Sequence, residues 1–154
     1  MTSLRDKVVF ITGASSGIGR SCARAFARQG ARILMAARRL DRLEKLAADL
    51  KAEFGAESRC LGLDVRDQAA VERAVSALSP EWEAVDILVN NAGLSRGLDK
   101  LYEGKIADWE EMIDTNVKGL LYVSRAVIPG MVRRGRGHII NIGSIAGRDF
   151  YPNG

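Results

Sequence analysis

Aromatic residues are scarce: Phe, Tyr and Trp make up 6% of the 154 residues. Cysteine is scarcer still. Cys22 and Cys60 lie far apart with no Cys-x-x-Cys, and His138 is the single histidine. A disulfide framework and a metal site are therefore not expected, which suits a reducing, cytoplasmic setting. No apolar run approaches the roughly 18 residues of a membrane span. The opening Met1-Thr-Ser-Leu-Arg-Asp-Lys7 has no signal-peptide core, so no membrane partner is expected either. Blocks of like charge are missing too. The net charge is +4 with both signs interspersed, which argues against disorder and a polyanion-binding tail. No stripe of Arg and Lys alternates with aromatics, so a nucleic-acid partner is not expected.

What the chain does contain is apolar sequence, 47% of it, enough for one domain with a core and too short for two. Lys7–Thr12 and Arg32–Ala37 are short apolar runs that read as strands buried on both faces. Ser58–Leu63, Ile87–Asn90 and His138–Ile142 read as three more. Between them lie helical patterns. Ile18–Gln29 carries Ile18, Cys22, Ala25 and Phe26 on one face and stops at Gly30. Leu40–Phe54 carries Leu43, Leu46, Ala47 and Leu50 and stops at Gly55. Asp67 caps a helix running to Leu78, which Pro80 breaks. Residues 91–104 read as loop. Ala107–Arg134 reads as helix, interrupted near Asn116 and Gly119 and bent by Pro129. Five strands alternating with helices predict an α/β fold: one Rossmann-type doubly wound parallel sheet over residues 1–154, strand order 3-2-1-4-5. A flavodoxin-like or other α/β domain without a nucleotide is the alternative at this level.

The first strand joins the first helix through Thr12-Gly13-Ala14-Ser15-Ser16-Gly17-Ile18-Gly19. A phosphate placed there meets free backbone N–H groups and the positive end of the helix dipole. Gly13 permits the tight turn, Gly17 lets backbone approach the ligand, and Gly19 lets helix pack close on strand. A plain turn would explain one glycine and leave two over. About 20 residues on, an NAD site carries an acid for the ribose hydroxyl. Here the second strand ends Ala36-Ala37-Arg38-Arg39. Two arginines suit a 2′-phosphate, which an acid would repel, so the expected cofactor is NADP. A solvated arginine pair is the competing reading. Asp41 reads as a helix cap.

The spacing Thr-Gly-x-x-x-Gly-x-Gly resembles the short-chain dehydrogenase/reductase family. Further motifs follow in register: Asp64-Val65 after strand three, Asn90-Asn91-Ala92-Gly93 after strand four, Asn116 in Asp-Thr-Asn-Val-Lys-Gly, and Ser144 in Asn-Ile-Gly-Ser-Ile-Ala-Gly. The resemblance spans essentially the whole chain. It implies that Gly13, Ala14, Ser15, Ser16, Gly17, Ile18, Gly19, Arg38, Arg39, Asp64, Val65, Asn91, Ala92 and Gly93 hold the cofactor, with Asp64 beside the adenine. It implies catalytic roles for Asn116, which positions a proton-relay water, and for Ser144, which also holds the substrate oxygen. Read alone, each has a plainer use: Asp64 as a turn cap, the asparagines as turn or surface residues, Ser144 as loop.

The family's acid–base pair, Tyr-x-x-x-Lys, does not occur in the sequence. Tyr151 is only seven residues after Ser144 and has nothing four positions beyond it, so it is not assigned that role. The chain thus reads as the N-terminal portion of a longer subunit, inactive alone, with the fifth strand left as an unpaired edge. Within the family the stretches Asp-Ile-Leu-Val-Asn-Asn-Ala-Gly-Leu, Asp-Trp-Glu-Glu-Met-Ile-Asp-Thr-Asn and Gly-His-Ile-Ile-Asn-Ile-Gly-Ser look most like the NADP-dependent 3-hydroxy acid and serine dehydrogenases. That implies an oxidoreductase moving hydride between NADP(H) and a small hydroxy acid or its keto form. Another carbonyl reductase of the family, or an inactive NADP-binding module, is the rival. Family members pair through their long helices, so the full-length parent is expected to be a homo-oligomer.

Overall fold

The structure, a computed structural model, describes residues 4–149; Tyr151 lies outside them. The strands are β1 (Val8–Thr12), β2 (Arg32–Ala37), β3 (Ser58–Gly62), β4 (Val85–Asn90) and β5 (His138–Asn141). They form one parallel sheet in the order β3-β2-β1-β4-β5. The helices are α1 (Gly17–Arg28), α2 (Leu40–Phe54), α3 (Gln68–Ser76), α4 (Pro80–Glu83), α5 (Ile106–Ile113) and α6 (Leu120–Arg133), with a π-turn at Asp114–Gly119 joining the last two.

Side-chain alternation along the inner strands makes three layers. Val9 and Ile11 of β1, with Ile33 and Met35 of β2, face α1 and α2 and pack on Ala23, Ala27, Leu43, Leu46 and Leu50. Val8, Phe10, Leu34 and Leu88 face the other way, onto Val71, Val123, Val127 and Met131 of α3 and α6. Each fully buried Leu, Ile or Phe contributes about 1.5–3 kcal/mol of transfer free energy, so these two faces carry the fold. One irregularity has a visible cause. The β1–β4 register shifts between Val8 and Val9, and the Asp86 carboxylate accepts the Val8 N–H at 3.1 Å and pairs with Lys7 and Arg136.

Several sequence expectations shift. Ile18 is 59% exposed and Ala25 is exposed too; the face of α1 that meets the sheet is Gly19, Ala23 and Ala27, with Cys22 and Phe26 packed beside them. Asp41 makes no cap: Arg39 occupies that position and Asp41 sits in the first turn. Pro80 starts α4 instead of breaking the helix before it, which has already ended at Ser76, because proline suits a first helical turn. Helix α3 ends at Ser76, and α6 runs on through Pro129. Asp67 does cap α3, accepting the Ala70 N–H at 2.9 Å. β5 sits at the sheet edge and is largely exposed.

Candidate active site

The carboxyl ends of the five strands and the first turns after them line a cleft of about 950 Å³. Its floor is the glycine turn. Gly13 and Gly17 both have left-handed backbones, with φ of +66° and +54°. A Cβ on Gly13 would lie 2.8 Å from Ala92 Cα, and one on Gly19 2.6 Å from the Gly13 carbonyl oxygen. Gly17 differs, since nothing lies within 4 Å of the place its Cβ would take. Close approach therefore explains two glycines. The third leaves bare backbone facing open space at the first residue of α1. Ser16, the N-cap, makes no side-chain cap bond, and α1 has no acid in its first turn. The orphan N–H groups and positive helix end are thus left for a ligand.

Thr12 and Asn91 lock this floor to β4. The Thr12 hydroxyl accepts the N–H groups of Asn91 and Ala92, both at 3.0 Å. The Asn91 amide donates to the carbonyls of Thr12 (2.9 Å) and Gly13 (3.2 Å). Asn91 therefore shapes the turn from below, a support role that Thr12 shares and that the sequence reading did not assign to Thr12.

At the far end, Arg39 Nη2 donates to the hydroxyls of Ser15 (3.1 Å) and Ser16 (3.3 Å), which ties the end of β2 to the glycine turn. Arg38 lines the same end. The Asp64 carboxylate is gripped by Arg66 through Nε and Nη2 and by the Arg66 main-chain N–H at 3.0 Å. That guanidinium, foremost by its hydrogen bonds, holds the Asp64 carboxyl below the usual carboxylate range against an opposing effect of burial. Val65 is buried, and a Cβ on Gly119 would meet its Cγ2 at 2.7 Å, so the π-turn closes over the end of β3.

Asn116 sits in that π-turn, where the helical ladder is locally widened. Its amide makes a two-way clamp on Leu94, accepting the N–H at 2.9 Å and donating to the carbonyl at 2.8 Å. Ser144 caps a short 3₁₀ turn, Ile145–Gly147, by accepting the Ala146 N–H at 3.2 Å, and its hydroxyl proton is free to donate. Beneath both, Asn90 donates to Ser124 Oγ and Asn141 Oδ1, each at 2.9 Å. Asn90 Oδ1 and Thr115 Oγ1 are buried without a protein partner, and both residues line the cleft. A polar group entering there would satisfy them.

Of the candidate residues, all but Ala14 and Gly19 line this one cleft; those two are buried beneath it. Among the described residues no group of His, Cys, Asp and Glu can hold a metal ion, and no helix is long and apolar enough to cross a membrane.

Comparison with known proteins gives a consistent result. The family model for short chain dehydrogenases matches residues 7–154. The NADP-dependent 3-hydroxy acid dehydrogenase of Escherichia coli K12 is 48% identical over 147 residues, covering 96% of this chain and 58% of that protein. The enzyme of the same description from Schizosaccharomyces pombe is 40% identical over 155 residues, covering 100% of this chain and 60% of that protein. Among solved structures, the closed form of serine dehydrogenase complexed with NADP+ superposes with a TM-score of 0.88 at 48% identity, covering 96% of this chain and 58% of that one. The chain thus spans about three-fifths of the length of the curated relatives it matches.

Proposed function

Since the chain belongs to the short-chain dehydrogenase family, we propose that residues 1–154 are the NADP(H)-binding Rossmann domain of an oxidoreductase acting on a small hydroxy acid, 3-hydroxy or serine-like, or its keto form. The observation that carries this reading is the open backbone at Gly17 on the unblocked end of α1, with Arg38 and Arg39 where an NAD site would carry an acid. The names of the relatives, NADP-dependent 3-hydroxy acid dehydrogenases, support the cofactor and the substrate class.

In this reading the main chain of residues 13–19 holds the pyrophosphate and Arg38 and Arg39 the 2′-phosphate. Asp64 and Val65 flank the adenine, and Asn91, Ala92 and Gly93 form the wall on the β4 side. Bound NADP(H) supplies the hydride chemistry. The protein supplies orientation. Ser144 Oγ, fixed by the Ala146 N–H, points its proton at a substrate oxygen. The Asn116 side chain is spent on Leu94, so it acts by fixing that loop, and any water it positions is held through its main chain. The sequence contains no Tyr-x-x-x-Lys, so none of the residues named here is given the role of proton carrier.

Calorimetric titration of the chain with NADP+ and NAD+ tests the cofactor. Reduction of NADP+ with L-serine and with 3-hydroxy acids, assayed on the gene's full product, tests the substrate class. Inertness toward both acid types while simple ketones are reduced by NADPH would favour a carbonyl reductase instead.

A further inference from the structure

Four charged side chains from three separate stretches form a run of alternating sign, Asp64, Arg66, Glu111 and Arg96, of which Asp64 and Arg66 line the cleft just after β3. Arg66 grips Asp64 with Nε and Nη2, the shortest contact being 2.6 Å, and reaches Glu111 of α5 with Nη1 at 3.3 Å. Glu111 is in turn held by Arg96, from the loop after β4, at 2.7 and 3.4 Å. The fields are mutual: Glu111 is held below the usual carboxylate range by Arg96 first, then by Arg66 and by Arg38. Arg38 acts on this chain of charges through space, while the glycine turn, Asn116 and Ser144 are held by other bonds.

Its consequence falls on Arg66, which lines the cleft together with Arg38 and Arg39. Three of its nitrogens donate to carboxylates. What it has left for a ligand is one N–H on each terminal nitrogen and the planar face of the guanidinium, which stacks on aromatic rings. The purine is the flat group a dinucleotide brings to this end. A guanidinium free on one side would swing toward incoming phosphate. Held between Asp64 and Glu111, it has lost that rotamer freedom before the ligand arrives. Glu111 also separates three cations, Arg38, Arg66 and Arg96, that would otherwise repel one another.

Building on the NADP(H) reading above, we propose that Arg66 is a further cofactor-binding residue, presenting its face to the adenine, and that Glu111, backed by Arg96, is a positioning residue that fixes it there. The ladder thereby couples adenine binding to the loop that Arg96 anchors.

The test measures equilibrium binding of three probes to the chain and its variants: NADPH, adenosine 2′,5′-bisphosphate, and reduced nicotinamide mononucleotide, which lacks the adenine half. Glu111→Gln is expected to weaken the first two about fivefold and leave the third unchanged. Arg66→Met is expected to weaken the first two about tenfold or more. The double variant is expected to be no worse than Arg66→Met, because Glu111 acts through Arg66. A general loosening of the fold would weaken all three probes alike, and that result overturns the proposal. Unchanged affinities in Glu111→Gln, or additive losses in the double variant, overturn it as well. If the unmutated chain binds the mononucleotide and NADPH equally, the adenine subsite is absent and the inference fails while a nicotinamide site survives. If it binds none of the three, the NADP(H) reading itself falls, and this inference with it.

Discussion

At the scale of single residues, Gly17, Arg38 and Asp64 each carry a separate part of the proposed chemistry. Gly17 has a left-handed backbone and open space beside it. Gly17→Ala costs about 1–2 kcal/mol of strain, visible in a urea melt. It also projects a methyl group into the proposed phosphate cradle, so NADPH affinity should fall at least about tenfold, or 1.4 kcal/mol. A stable, folded variant with unchanged affinity would remove the cradle from that turn. Arg38→Ala leaves the bonds of Arg39 to Ser15 and Ser16 in place. It should weaken NADP+ by about 2 kcal/mol, roughly thirtyfold, and barely touch NAD+. Asp64 makes a pH prediction. Its carboxyl is held low by the Arg66 hydrogen bonds. The stabilisation is therefore full above the unfolded value of about 3.9 and is lost only as pH falls through the lower folded value. The gap in urea midpoint between the chain and Asp64→Asn, measured without cofactor, should be constant above about pH 5 and close well below pH 4. A gap that instead grew on acidification would reverse the sign.

Among the elements, the inner strands were legible because burial on both faces leaves an unbroken apolar run, as in Val8–Thr12 and Arg32–Ala37. Glycine stops and the Asp67 cap were legible because each meets its need locally. Three things were not. Pro80 reads as a breaker and as a helix start with equal right, and only Trp82 packing into the core beneath it decides. Ile18 keeps helical spacing but faces the cleft. The ladder from Asp64 to Arg96 joins residues up to 47 positions apart, and no local pattern announces it. The interruption near Asn116 was legible, but not its form as a π-turn that packs Gly119 on Val65, in the turn after β3. From that form comes an element-level prediction. Asn116→Ala removes both bonds to Leu94 and should cost about 1 kcal/mol. Faster amide exchange at Leu94 should accompany it, with protection in α6 retained. Unchanged exchange at Leu94 would show that the clamp does not hold the loop.

For the whole molecule, the sheet order and the gathering of the candidate residues around one cleft follow from a topology in which consecutive strands feed turns to the same edge. That much the motifs and their order conveyed. The proton carrier is a different matter: Asn116, Ser144 and the proposed cradle can position reactants, yet general acid–base help is worth about 10²- to 10⁴-fold. The purified chain should therefore oxidise NADPH with keto acids at no enzymic rate. Robust activity abolished by Tyr151→Phe would make Tyr151 the proton carrier.

The most direct measurement is calorimetric titration of the unmutated chain with NADP+ and NAD+ under identical salt. The glycine cradle beside Arg38 and Arg39 requires NADP+ to bind, and to bind at least about tenfold tighter than NAD+, a difference of about 1.4 kcal/mol. No binding, or equal affinity for the two, would contradict it.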